Sequence, residues 1–287
     1  MSDEVHVSII GLPGSGKTTL LAALWHMVRE PGASIALSFD RLSIGNYEHL
    51  NQLAKRWRSG KIQQRTQVSG AKDVTMRLKS ASGRQVDLTF PDLPGEEFAR
   101  MWERRELDPS MDDTLSAPAL ALLINGDTIR MPAWLVDQAA LAKKIGMAKP
   151  TADPVDWSAD LAPTQVRVVD LLQMLMSDRL YVGGRRLAIL VSAWDKVEAE
   201  GLTPAALLES KLPLLHQYLT SARDPWTWRV WGLSAQGGVY EDPEKDQSFP
   251  ETDKLRDFER PSDRIKVADE QGVSSDITKP LEWLVAG

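Results

Sequence analysis

Residues Gly11 to Thr19 (GLPGSGKTT) place three glycines, a lysine and two threonines at the spacing that grips phosphate. Gly11, Gly14 and Gly16 let successive backbone N–H groups turn inward as a nest for anionic oxygens. Lys17 is placed to reach the terminal phosphates and the Thr18 hydroxyl to hold Mg²⁺. The remaining loop positions, Pro13, Ser15 and Thr19, complete the wrap. A Gly-rich turn with no ligand is the competing reading, and the flanks argue against it. Val5 to Ile10 (VHVSII) has the length and β-branching of a buried strand. Leu20, Leu21, Leu24, Trp25 and Val28 then repeat at helical spacing. Strand, loop and helix in that order predict a nucleoside triphosphate site.

Three further segments suit the same chemistry. Asp92-Leu93-Pro94-Gly95 follows the apolar run Val86 to Phe90 directly. A carboxylate there can support Mg²⁺ through water, opposite Thr18, and the Gly95 N–H can donate to a γ-phosphate. Alone, this tetrapeptide also reads as a common turn. Asp195, in Ser192-Ala193-Trp194-Asp195, closes the run Arg186 to Val191. Guanine presents its N1–H and exocyclic amine side by side, and one carboxylate accepts both. Adenine lacks the N1 donor, which makes such a residue selective. An Asp capping the next helix is the alternative. Ser234-Ala235 closes the run Trp228 to Leu233, where a backbone N–H can donate to guanine O6.

For these four motifs to meet, the strands before them must lie in one mainly parallel sheet, with the ligand across their carboxyl ends. The rest of the chain supplies compatible elements. Pro31-Gly32 ends the first helix, and Tyr47, Leu50, Leu53, Ala54 and Trp57 share a face of a second. Val74 to Leu78 and Val86 to Phe90, joined at Ser82-Gly83, predict an antiparallel hairpin. A short helical region ends near Leu107, and Ala119 to Ile124 (ALALLI) is a buried strand. Residues 125–163 read as an insertion with one helical stretch, Trp134 to Ile145. Thr164 is expected to cap a helix carrying Val166, Val169, Leu172, Leu175 and Met176, stopped at Gly183-Gly184. Thr203-Pro204 opens another, which Pro213 should kink. Glu241 to Asp276 is charged and turn-rich, the pattern of a solvated excursion, and Pro280 to Val285 predicts a short packing helix. Strands alternating with helices predict an α/β fold with helices on both faces of the sheet.

Composition narrows the classes. At 287 residues the chain is long enough for one large α/β domain or two small ones. A formal net charge of −6 offers no basic footprint for nucleic acid and no polybasic signal for membranes. No apolar run approaches membrane-spanning length, and with a strand beginning by Val5 no N-terminal signal is expected. The absence of cysteine excludes disulfides and thiolate metal sites and fits a cytoplasmic protein. Ten tryptophans read as core anchors rather than an aromatic ligand box.

GLPGSGKT, DLPG, SAWD and SAQ stand in the order seen in the Ras-like, translation-factor-related (TRAFAC-class) P-loop GTPases, which the chain resembles along nearly its whole length. Within that class it looks like the bacterial double-GTPase group. The shared features are a long Trp-containing segment before the switch threonine, the S-A-W-D-K base motif and the terminal P-L-E-W-L. The resemblance implies a three-layer Ras-like G domain over residues 1–287, with a six-stranded sheet, one strand antiparallel, an insertion at 125–163 and an excursion at 241–276. It implies GTP or GDP and Mg²⁺ as ligands, and hydrolysis of GTP by a molecular switch. By position, Thr66 matches the first-switch threonine that joins Thr18 and Asp92 at the metal when triphosphate is bound; an ordinary loop residue is the alternative. Lys17, Gly95 and Glu96 take the catalytic positions, Glu96 where the best-known members carry a glutamine that orients water. Lys196 and Gln236 join Asp195, Ser234 and Ala235 around the base.

Two departures from the family pattern have consequences. Ser192 and Ala193 replace the first two residues of the usual Asn-Lys-x-Asp. Ala193 has no aliphatic stem to lie over the purine, which leaves two alternatives, a weaker base affinity or cover of that face by Trp194 or Gln236. The negative charge of Glu96 near a γ-phosphate is expected to slow turnover until a partner supplies a cation, in the manner of an arginine finger. The implied partner is an effector or companion protein, such as another GTPase-like chain in a bacterial multigene defence-type system. Two other classes stay open. One is an ATP-specific NTPase or kinase, with Asp195 reduced to a helix cap and no Arg-rich lid in evidence. The other is a non-hydrolysing nucleotide-sensing module, motivated by Glu96.

Overall fold

The strands expected from apolar runs all form, and they share one sheet. The computed structural model describes residues 4–63, 73–91, 101–104, 106–132, 144, 156, 158, 161–177, 179–242, 245 and 249–286. Its strands are β1 (Glu4–Gly11), β2 (Leu37–Ile44), β3 (Val74–Ser80), β4 (Gln85–Phe90), β5 (Ala119–Asn125), β6 (Arg185–Ser192), β7 (Trp226–Ser234), β8 (Lys266–Asp269) and β9 (Gly272–Ser274). They form a nine-stranded sheet in the order β2-β3-β4-β1-β5-β6-β7-β8-β9. The central run from β4 to β7 is parallel throughout. Antiparallel pairs flank it: β2 with β3 and β3 with β4 at one side, β7 with β8 and β8 with β9 at the other.

Alternation along the central strands separates two cores. In β5, Ala119, Ala121 and Leu123 face one core, while Leu120, Leu122 and Ile124 face the other. In β6, Ala188 and Leu190 oppose Leu187, Ile189 and Val191 in the same way. The first core is closed by helices α1 (Lys17–Met27), α2 (Tyr47–Arg58) and, at the chain's end, Lys279–Val285. The second is closed by Thr164–Leu175, Pro204–Lys211 and Pro213–Thr220. A strand with both faces covered must be apolar on both, which is why these runs show no polar alternation.

The sheet exceeds the expected six strands with one antiparallel member. β2 escapes a pattern reading because Leu37 alone is buried in it, and register shifts between Phe39 and Arg41 and between Leu42 and Ile44 interrupt its period. The expectation of a solvated excursion over 241–276 is also corrected. That stretch contains a helix (Pro250–Arg256) and β8 and β9, and it buries Thr252, Leu255, Ser262, Arg264, Ile265 and Val267. Three boundaries differ as well. The helix at Thr164 is capped by Pro163, and the Thr164 hydroxyl accepts from the Arg130 N–H (2.9 Å) instead. It ends at Leu175, before Gly183. Pro213 does more than kink its helix: Leu212 leaves helical geometry (ψ 51°), and Pro213 starts a new helix as its first residue. Of the 125–163 segment, the predicted Trp134 to Ile145 helix lies outside the described residues, apart from Lys144.

Candidate nucleotide site

β1 ends at Gly11 and α1 begins at Lys17, so the glycine-rich loop spans the gap between a strand end and a helix start. Gly14 (φ 69°) and Gly16 (φ 92°) take left-handed conformations that side chains disfavour, so both positions require glycine. Two neighbouring strand ends hold the loop from behind. Asn125 Nδ2, at the end of β5, donates to Gly14 O (3.1 Å); Ser192 Oγ, at the end of β6, donates to Ser15 O (2.7 Å). In a trans peptide the N–H points opposite to the C=O. Tying these carbonyls to the sheet therefore turns the following N–H groups the other way.

Lys17 Nζ donates to Gly11 O (2.7 Å) and Leu12 O (3.2 Å). Burial pulls its ammonium down to about 8. Thr18 and Thr19 are half-buried in the first turn of α1, which carries no acidic side chain to oppose an anion at the positive end of the helix. The Ser15 hydroxyl is buried without a hydrogen-bond partner among the described residues. Pro13 is exposed and has no N–H to give, so it shapes the turn without donating.

The second half of the site comes from β6 and β7. After β6, Ala193 turns left-handed (φ 52°) and starts the one-turn helix Trp194–Val197 that carries Asp195 and the exposed Lys196. Ser234 Oγ, at the end of β7, donates to Asp195 Oδ1 (2.5 Å) and accepts from the Gly237 N–H (3.1 Å). The serine thus fixes the carboxylate and the loop after it together. A cavity of about 250 Å³ joins the two halves. Gly14, Gly16 and Thr19 line it from the loop side, and Asp195, Lys196, Ala235 and Gln236 from the other.

Trp194 does not reach this cavity. It is buried against Gly232 in β7, where a Cβ would sit inside the indole, so of the two residues considered for covering a purine only Gln236 lines the space. Asn125, at the end of β5, and Asp127, in the turn Gly126–Thr128 after it, line it too and belong to none of the four motifs. Their signal was position, since they follow a buried strand in the same sheet. Of the metal set, Thr18 stands at the head of α1; Thr66 and Asp92 lie outside the described residues, as do Gly95 and Glu96. Among the described residues, no cluster of three or more His, Asp or Glu could hold a metal unaided. A hydroxyl at a phosphate-binding helix start fits an ion held mainly by its nucleotide.

The model of one protein family, Double-GTPase 1, matches residues 8–284. The chain belongs to the Double-GTPase 1 family. The span matched to the Double-GTPase 1 model includes all four motifs and the strands of the 241–276 segment. No curated protein matches the sequence. Among solved structures, similar chains include the signal recognition particle receptor SRb-GTP/SRX complex from Chaetomium thermophilum. It is 15% identical, with 83% of this chain and 93% of that one covered and a TM-score of 0.41. Nucleolar GTP-binding protein 1 from Plasmodium falciparum is 11% identical, over 83% and 80% of the two chains, with a TM-score of 0.36. The mammalian SRP receptor is 14% identical, over 80% and 92%, with a TM-score of 0.35. No described helix of this Double-GTPase 1 chain is long and apolar enough to cross a membrane.

Proposed function

We propose that this chain is a single G domain that binds GTP with Mg²⁺, hydrolyses it to GDP and phosphate, and signals through the difference. The observation that carries this reading is the cavity shared by the glycine loop and Asp195. One end of it suits a triphosphate and the other a base with two adjacent donors.

In this reading the loop amides and Lys17 hold the phosphates. The triphosphate exchanges the carbonyls of Gly11 and Leu12 for anionic oxygens around the ammonium, which keeps the lysine charged. Asp195, oriented by Ser234, accepts from guanine N1–H and the exocyclic amine, with Lys196, Ala235 and Gln236 around the base. Mg²⁺, when bound, neutralises charge on the phosphate oxygens, and Thr18, Thr66 and Asp92 are the residues assigned to it. Gly95 senses the γ-phosphate and Glu96 positions water. Two anionic groups in one place make turnover slow until a companion protein brings a cation. In this proposal that companion is an effector or another GTPase-like chain, and the setting is a bacterial multigene defence-type system in the cytoplasm. Nucleic acid and membrane have no part in it.

The test is binding and turnover of GTP against ATP with Mg²⁺. Preference for GTP with measurable phosphate release supports the proposal, whereas preference for ATP overturns it. Glu96 motivates a second reading, a nucleotide sensor without hydrolysis, which tight GTP binding with no turnover in any setting would favour.

A further inference from the structure

The loop after β7 rests on a buried brace that begins in α2. The Trp57 side chain is fully buried, and its indole Nε1 donates to Ala235 O at 2.7 Å. Behind it lies Arg264, also buried, with its guanidinium over the Trp57 ring (4.1 Å) and the Tyr240 ring (5.3 Å). Arg264 donates to the Tyr240 hydroxyl (2.6 Å), to Leu255 O (3.1 Å) and to Trp57 O. Gly237 (φ 80°) lies so close to the Arg264 backbone that a Cβ would overlap it. The end of α2 is fastened to the same region, because the Glu241 N–H donates to Gly60 O (2.8 Å) and the Ile62 N–H to Glu241 O (2.9 Å).

A buried guanidinium held by carbonyls, a phenol and ring faces is costly compared with an apolar filler of the same size. What it secures here is the orientation of one peptide. Trp57 holds the Ala235 carbonyl on the core side, so the Gln236 N–H of that peptide points the opposite way. Ala235 and Gln236 both line the cavity. Accepting a hydrogen bond at the carbonyl also polarises the N–H into a better donor.

We infer that Trp57, braced by Arg264 and Tyr240, is a positioning residue for base recognition: it aims the Gln236 N–H at the purine and so sets affinity for the guanine end of the nucleotide. This rests on the reading of Asp195 and its neighbours as the guanine site. The phosphate end is held by other residues and is independent of the brace.

The experiment measures GDP, ADP and inorganic tripolyphosphate binding to the full chain and to Trp57→Phe, Tyr240→Phe and Asp195→Asn. Trp57→Phe keeps an aromatic face for Arg264 but loses the donor, along with part of the buried ring volume. It is expected to weaken GDP about tenfold while leaving tripolyphosphate and ADP unchanged. Tyr240→Phe removes one hydroxyl from the brace and should weaken GDP about threefold in the same pattern; it decides the matter if Trp57→Phe fails to fold. Unchanged GDP affinity in the folded variants overturns the inference. So does an equal loss for tripolyphosphate, which would mark a general structural role. If Asp195→Asn alone lowers GDP affinity, only the brace fails. If Asp195→Asn also leaves GDP unchanged, the guanine reading itself fails.

Discussion

The two ends of the cavity are built in opposite ways. The phosphate end is a continuous run of nine residues, Gly11 to Thr19, which carries its own amides and Lys17 and takes only backing ties from Asn125 and Ser192. The base end is assembled from separate strands: Asp195 takes its hydrogen bond from Ser234, 39 residues away, and Ala235 takes its own from Trp57, 178 residues away. A local device tolerates change elsewhere in the molecule, whereas an assembled one depends on the packing of distant elements. Base selectivity is therefore the property more open to drift, and of the altered Ser192-Ala193 pair Ala193 falls at that end, whereas Ser192 backs the phosphate loop.

The largest effect should come from the local device. Lys17→Ala is expected to lower triphosphate affinity more than about a hundredfold, read by calorimetry, because a charge-assisted contact disappears from a site designed around it. Retained affinity would place the phosphates elsewhere. Asp195→Asn should reduce the preference for GTP over ATP about thirtyfold while leaving tripolyphosphate binding intact. If discrimination survives, Asp195 is a helix cap and the two ends are less different than they look.

A smaller effect follows from pH. Burial holds the Lys17 ammonium at about 8 in the protein without nucleotide, whereas bound phosphates keep it charged. Affinity should thus be full below pH 8 and fall by about tenfold per unit above it, measured by fluorescent GTP titration up to pH 9.5. A flat profile would mean that the amine does not meet the anion. The smallest change is expected from Ser192→Ala. It removes one of the two side-chain ties that the neighbouring strand ends place on the loop, and with Asn125 still on Gly14 the loss of triphosphate affinity should be about fivefold. A loss as large as that of Lys17→Ala would show that the loop is not self-sufficient.

What the sequence alone reveals follows the same division. Runs such as ALALLI are covered on both faces, so their composition alone reveals β1, β4, β5, β6 and β7. The Leu50, Leu53, Ala54 and Trp57 stripe of α2 was equally plain, because a helix buries one side. β2 was missed because an edge strand buries little, and β8 because four residues carry no period. Arg264 went unseen inside a charged stretch, since a buried arginine and a solvated one share the same letter. Trp57 reads as a core anchor, which it is, yet its bond to Ala235 connects parts of the chain that only the folded sheet brings together. Ser192 stands where the usual base motif has asparagine, a departure whose use the sequence does not show; in the fold its hydroxyl ties the loop.

The outermost strands carry a consequence for how such chains avoid sticking to one another. An open sheet invites a stranger to add itself to the row. Here one rim is kinked by two irregularities and displays Asp40 and Arg41, while the other ends in a strand of three residues. Neither rim offers a long, straight, uncharged template, so growth by strand addition, the route to fibrous aggregates, is blocked on both flanks.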